Sequence, residues 1–349
     1  MRTMNWPAGQ LPKPLPPRSG RLAFCVAGWI VGFALAANAG AAIVKFRVPN
    51  SPSTSPAAIN STGTVVGTAL LRRGTVRKAF VRTSDGTITT FAAFRGTFTE
   101  AVGINASGSI VGIYALNNES GTLGYVRSSG GTITSIDYPD SQETNVFGIN
   151  DGGSIVGLAE VDDAYYGFLY SSGTFTTIGV SGANIVYPEN INDRGEIGGF
   201  YREAGSTVDH GFVRAVDGTV TSFDASGAAN GTTPTGLNDG GTIAGYYEDA
   251  DEYTHGFLRD SGGTITEFDV PGSADATYPE SINKRGQIAG YYLDENGLSH
   301  GFIRSSGGTY VTFDVDPAYP GPQVFGINDD GSVTGTYQSG NITGGFVRP

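Results

Sequence analysis

Short apolar clusters separated by glycine-rich polar stretches run along the chain from residue 43 onward, and they recur with one period. An isoleucine, once a leucine, precedes an asparagine at Asn60, Asn105, Asn150, Asn192, Asn238, Asn283 and Asn328, in steps of 45, 45, 42, 46, 45 and 45 residues. Glycine stands three and seven residues after every one of them, and the fifth place holds only valine or isoleucine. Seven copies agreeing at three positions define an internal repeat, and a repeat sets the architecture before any single element does.

The sixth copy is the plainest. Residues 278–282 form an apolar-polar cluster of strand type that ends in the turn Asn283-Lys284-Arg285-Gly286. There the asparagine side chain folds onto the backbone and the glycine accepts a positive φ, as a tight hairpin requires. A second strand is predicted over 287–293, a polar loop over 294–297, and further strands over 300–304 and 310–314, with Ser306-Gly307-Gly308 between them. Each unit is thus an antiparallel meander of four strands, too small to bury both faces alone, so neighbouring units must cover them. The residue before each asparagine is large, whereas the one before that is small in six copies (Ala58, Gly103, Gly148, Gly236, Ser281 and Gly326) and Asn190 in the other. A large face meeting a small one suits radially packed sheets.

The ends are out of phase with the repeat in a complementary way. Residues 43–49 match a fourth strand, as in Phe268-Asp269-Val270-Pro271, and residues 344–348 match a third. An open stack has no reason to split a unit and would need polar caps. The expectation is therefore an all-β, seven-bladed β-propeller over 43–349, with four antiparallel strands per blade and the N-terminal strand completing the last blade.

Residues 1–39 read differently. Arg2, Lys13, Arg18 and Arg21 precede an apolar run over 22–37, no acid appears, and Ala37-Asn38-Ala39 and Ala39-Gly40-Ala41 are small-x-small sites. That is the pattern of a signal peptide cleaved near residue 39 or 41. It would carry away Cys25, Trp6, Trp29, Met1 and Met4, leaving a mature chain with no thiol for disulfides, nucleophilic catalysis or metal binding. Loss of the four basic residues takes the net charge from -12 to -16, which disfavours nucleic acid and anionic membranes as partners. No other apolar stretch is long enough to span a bilayer, and Arg348-Pro349 ends the chain without a hydrophobic tail. A secreted, extracellular or periplasmic monomer, released rather than anchored, is expected.

Three places invite chemistry. His210, His255 and His300 share one repeat position, but on the third strands of adjacent blades they would diverge by roughly 10 Å or more. A common zinc needs each nitrogen at about 2.0 Å, so a structural role is expected and no metal site is assigned. The acidic loops at Asp162-Asp163, 248–252 and Asp294-Glu295 offer oxygen ligands for weak Ca²⁺ binding at most, because none has the spacing of a dedicated calcium loop; as hairpin tips they keep sheet edges soluble. No other cofactor is expected. The most pointed group stands where inner strands begin, at the mouth of the expected channel: Tyr187-Pro188-Glu189, Tyr278-Pro279-Glu280 and Glu100, with Phe147, Phe325 and Thr235 in other copies. Carboxylates beside phenols suit acid-base work on a sugar, and suit equally well the stacking and hydrogen bonding of a ligand without reaction. Glu100, Tyr187, Glu189, Tyr278 and Glu280 are the candidate ligand-binding residues, and no catalytic residue is assigned, since the sequence has no Gly-x-Ser-x-Gly elbow, His-Glu-x-x-His or phosphate loop.

The pairs Gly211-Phe212, Gly256-Phe257 and Gly301-Phe302, the segment Thr264-Ile265-Thr266-Glu267-Phe268-Asp269, and the Ile-Asn-x-x-Gly-x-Ile-x-Gly core resemble the bacterial extracellular HAF-repeat family over the whole mature chain. Blade and strand order resemble the NHL and YVTN propellers. Ala79-Phe80 and Gly124-Tyr125 depart from the usual pair in the first two copies. The resemblance implies a secreted repeat protein and carries no catalytic residue to any position. The expected function is a non-catalytic module that binds carbohydrate or protein at the cell surface or in the matrix; the alternative is a polysaccharide hydrolase or lyase with its acids at the channel mouth.

Overall fold

A computed structural model describes residues 42–71, 76–94, 96, 98–116, 121–316 and 321–349, so the expected signal peptide lies outside the described residues. Those residues form 28 β-strands and no helix. Within a repeat, four consecutive strands pair antiparallel in chain order. In the sixth they are Ala276–Ile282, Ile288–Leu293, Ser299–Arg304 and Tyr310–Phe313, each within two residues of its expected bounds. Val44–Phe46 pairs antiparallel with Ile342–Arg348, setting Lys45 opposite Phe346. Adjoining sheets touch through single parallel bridges, Ser53 with Thr343 and Thr254 with Ala276 among them.

The repeated asparagine does two jobs. The Oδ1 of Asn283 accepts the backbone N–H of Arg285 at 3.0 Å and of Gln287 at 2.9 Å, which closes its own turn. Its Nδ2 donates to the carbonyl of Asn328 in the next repeat at 2.9 Å. The same link runs from Asn60 to Asn105, Asn150, Asn192, Asn238 and Asn283, and Asn328 donates to the carbonyl of Asn60 at 3.1 Å. All seven asparagines are buried, and a buried amide persists only when its donors and acceptor are satisfied.

Packing between repeats is as regular. A fully buried aromatic sits on each third strand, from Phe80 and Tyr125 to Phe346. In three repeats it meets, edge to face, a phenylalanine on the outermost strand of the sheet before it: Phe91 against Tyr125, Phe223 against Phe257 and Phe313 against Phe346, each at 6.0 Å, while Ile136 and Ile178 hold the equivalent place before Phe168 and Phe212. In these three an arginine two residues after the buried aromatic covers the phenylalanine, as Arg259 covers Phe223 at 4.8 Å and Arg348 covers Phe313 at 5.1 Å. Phe46, on the first strand, has the same two partners, Phe80 at 6.0 Å and Arg82 at 5.0 Å. Such cation-aromatic contacts add about 0.5–2 kcal/mol each to the apolar burial.

Candidate functional site at the inner strands

The pairing of every inner strand with its second strand slips at one shared place, and that of the fourth repeat slips once more between Ala183 and Ile185. The shared slip leaves one extra residue three positions before the asparagine: Ala57, Val102, Phe147, Glu189, Thr235, Glu280 and Phe325. A bulge bends its strand and re-aims the side chain it carries. Six of these residues line a cavity of about 210 Å³ shared by all seven inner strands, and in the fourth repeat Asn190, next to Glu189, lines it. The bulge residues are four apolar side chains, one threonine hydroxyl that donates to the carbonyl of Pro279 at 2.7 Å, and two carboxyls.

Glu280 lines this cavity and Glu189 stands beside its lining residue Asn190; both are half-buried by surface, yet protein surrounds them. A few waters in a narrow space solvate a charge worse than bulk water does, so surroundings govern their ionisation. Burial pushes Glu280 up to about 8, and burial together with the Asp209 carboxylate pushes Glu189 up to about 7. The folded chain therefore holds a proton on Glu280 that the unfolded chain releases above about pH 4.5. Stability falls as pH rises from there through about 8. Glu280→Gln removes this loss: in urea denaturation at pH 5 and pH 9 the wild type should decline by about 3 kcal/mol more than the variant.

Aromatic rings gather beside the two acids. Tyr278 stacks on Tyr291 with centroids 4.9 Å apart and meets Tyr246 edge-on at 5.4 Å; Tyr187 stacks on Phe200 at 4.6 Å. Burial, and next the Glu280 carboxylate, push the phenols of Tyr246 and Tyr291 upward. Arg202 and Asp209 pair nearby, and both act on the Tyr187 phenol, whose acidity is lowered mainly by burial. Four of the five sequence-derived candidates, Tyr187, Glu189, Tyr278 and Glu280, thus fall in the fourth and sixth repeats, with Tyr246 of the fifth between them.

Glu100 does not join them. It lies five residues before its asparagine, in the register of Tyr187 and Tyr278, and its carboxylate pairs with Arg77 at 2.5 Å. The strand-two rings of Phe200, Tyr246 and Tyr291 escaped sequence reading, although each stands opposite the residue five before the asparagine.

At the asparagine end of the inner strands a second cavity, of about 270 Å³, is ringed by the residues that follow the asparagines. Lys284 reaches three of them, with Nζ 2.9 Å from Asp193, 3.2 Å from Asp239 and 3.8 Å from Asp151. The hydrogen bond to Asp193 leads in holding the ammonium well above the usual lysine range. Asp193 also accepts the N–H of Asp151, and Asp151 that of Ala106. Lys284→Met leaves like charges facing one another, but the group is half exposed, so water screens them. We expect a loss of about 1 kcal/mol that shrinks in 0.5 M NaCl, measured by thermal melts.

The three histidines have partners inside their own repeats. Nδ1 of His210, His255 and His300 lies 2.9, 3.0 and 2.7 Å from Asp224, Asp269 and Asp314, each just past the end of the fourth strand, and each ring lies against Tyr201, Tyr247 or Tyr292. Burial works against a charge on His255, but its two carboxylates outweigh burial and raise it. The loop carboxylates of Asp249 and Asp294 accept backbone N–H groups of their own turns. Among the described residues, no group of three or more histidine, cysteine, aspartate or glutamate side chains is placed to hold a metal ion, and no helix is long and apolar enough to cross a membrane.

No family model and no curated protein matches the chain. Solved structures do. Catalytically inactive virginiamycin B lyase from Staphylococcus aureus with quinupristin is 14% identical at a TM-score of 0.58, over 88% of this chain and 99% of that one. A streptogramin B lyase is 15% identical at 0.57, over 88% and 98%. The β-propeller domain of the Trilobed protease from Pyrococcus furiosus, which has an open velcro topology, is 10% identical at 0.59, over 88% and 95%. At such identities the likeness speaks for fold alone, and the fold is a β-propeller.

Proposed function

We propose that this chain is a secreted, non-catalytic, seven-bladed β-propeller that binds an extracellular carbohydrate at one mouth of its axial channel. Secretion rests on the basic, apolar and small-residue sequence of residues 1–39. Seven blades, with residues 44–46 as the outer strand of the last, are supported by the asparagine links that return from Asn328 to Asn60. The pairing of Val44–Phe46 with Ile342–Arg348 supports the same reading, in contrast to the open velcro topology of the Pyrococcus furiosus domain.

The observation that carries the binding role is the asymmetry of the bulge positions. Ala57, Val102, Phe147 and Phe325 are apolar, while Glu189 and Glu280 fall on one side, beside Tyr187, Tyr246, Tyr278 and Tyr291. Aromatic faces with hydrogen-bonding carboxyls fit the alternating apolar and hydroxyl faces of a sugar. A second reading, a polysaccharide hydrolase or lyase, is favoured by one fact: Glu280, pushed up to about 8, is protonated at neutral pH as a general acid must be. A glycan array run with and without Ca²⁺, followed by product analysis, separates the two. Binding by the wild type, at least tenfold weaker in Glu189→Gln and with no product formed, is the expected result; turnover that Glu280→Gln abolishes would replace binding with catalysis.

A further inference from the structure

We infer that the ligand presents an uncharged acetamido group, which the inner-strand cavity receives between an apolar wall and the amide of Asn190. This deepens the carbohydrate reading above, naming an N-acetylated sugar, and rests on it for the position of the site.

The cavity is two-sided. In the order set by the asparagine links, Phe325, Ala57, Val102 and Phe147 line it on four consecutive repeats, and Asn190, Thr235 and Glu280 line it on the other three. Its floor is apolar as well. Ile59, Ile104, Ile149, Ile191 and Ile327 line both this cavity and the one at the asparagine end, and so stand between the two. No lysine, arginine or histidine lines the cavity, so an anionic group finds no countercharge there. A single carboxyl among apolar walls and floor does not replace the water that an ammonium would shed on entry. What fits is a neutral group with one hydrogen-bonding side and an apolar end.

Asn190 distinguishes the polar wall. It holds the place, two before the asparagine, where the other six repeats have alanine, glycine or serine. Its side chain has no hydrogen-bond partner among the described residues, which leaves the amide to a ligand. An amide offers an acceptor oxygen and N–H donors, the complement of the N–H and C=O of an acetamido group. On the next repeat Thr235 donates its hydroxyl hydrogen to the carbonyl of Pro279 at 2.7 Å, so its lone pairs remain to accept a ligand N–H. The acetamido methyl then lies toward the apolar walls and the isoleucine floor, where burial of apolar surface favours it. A cavity of about 210 Å³ is smaller than the roughly 300–1,000 Å³ of sites that enclose whole small molecules. It therefore takes one projecting substituent rather than a whole sugar chain.

The test is calorimetric titration of the purified protein at pH 7 with three β-1,4-linked hexose tetramers that differ only at the second carbon, which carries acetamido, hydroxyl or amino. N-acetyl-tetraalanine amide is the fourth probe. The expected result is binding of the acetamido tetramer at least about tenfold tighter than of the other two. Asn190→Leu, which keeps the volume and removes the donors and the acceptor, should abolish that preference. It should melt within about 3 °C of the wild type, so a lost preference reports the site; if it melts earlier, Asn190→Ser, which has a counterpart in Ser281 of the sixth repeat, takes its place. Equal binding of the three tetramers, unchanged in the variant, would keep the carbohydrate reading and overturn the inference, as would tighter binding of the hydroxyl or amino tetramer. Binding of the acetylated peptide alone, weakened about tenfold or more in the variant, would keep the acetamido inference and sink the carbohydrate reading. Absence of binding by the acetamido tetramer and the acetylated peptide overturns the inference as well.

Discussion

Gly290→Ala should leave little folded protein, with the thermal midpoint lowered by at least ~10 °C in whatever soluble fraction remains, an effect of about 3 kcal/mol or more. A β-carbon at this position would stand 2.0 Å from the carbonyl oxygen of Tyr278 and 2.9 Å from Cε1 of Phe302. Neither atom has room to retreat. The carbonyl belongs to the inner strand immediately before Pro279 and the bulge, and the Phe302 ring is fully buried. The six equivalent glycines meet the same carbonyl at 1.9 to 2.3 Å, as Gly67 meets that of Ser55 and Gly335 that of Gln323. The glycine seven places after the asparagine is therefore the partner the bulge requires. Straightening the strand to relieve the clash would turn Glu280 out of the cavity, so any surviving variant should also lose ligand. Gly297→Ala is the control: its φ of +71° disfavours alanine, but its β-carbon would meet open space, and a left-handed alanine costs only about 1–2 kcal/mol. Circular-dichroism melts of the two variants, run side by side, decide whether close backbone approach or φ dominates.

What the repeat made legible was whatever is local. The turn at Asn283 is an interaction between residues two and four apart, and it could be seen in the spelling Asn-x-x-Gly. The bond from Asn283 to Asn328 joins residues 45 apart, and no local pattern distinguishes an asparagine that only closes a turn from one that also ties sheets together. The bulge was hidden for a related reason. Strand reading assumes strict alternation, and under it Glu100, Glu189 and Glu280 all look like residues at the start of an inner strand. Counting back from the asparagine separates five from three, and the count of three is the bulge itself. One signal was present: the position three before the asparagine reads Ala, Val, Phe, Glu, Thr, Glu and Phe, unconstrained in size or polarity, while the positions flanking it are small or proline in most copies. A freely varying place inside a tightly constrained repeat faces something other than the protein's own core. The ring of Lys284 with three aspartates was out of reach, since those residues adjoin only through the packing of four repeats.

Phe46→Ala should cost about 3–4 kcal/mol in chemical denaturation, as much as Phe313→Ala. The two sites are built alike. Phe313 lies on the outermost strand of the sixth repeat, edge-on to Phe346 at 6.0 Å and beneath Arg348 at 5.1 Å; Phe46 is edge-on to Phe80 at 6.0 Å and beneath Arg82 at 5.0 Å. Their positions along the chain are quite different. Phe313 is flanked by strands on both sides, whereas Phe46 belongs to a three-residue strand near the start of the described chain, where segments ordinarily fray unless tied down. If that strand is the last blade's fourth, it is tied by its ladder to Ile342–Arg348 and by a ring and a guanidinium of the first repeat, and its removal opens the whole circle rather than one edge. Equal losses at Phe46 and Phe313 are then required. A loss below about 1 kcal/mol at Phe46, beside a full loss at Phe313, would mean that the first strand frays independently, and with the ring open the cavity shared by the seven inner strands would no longer be a single site.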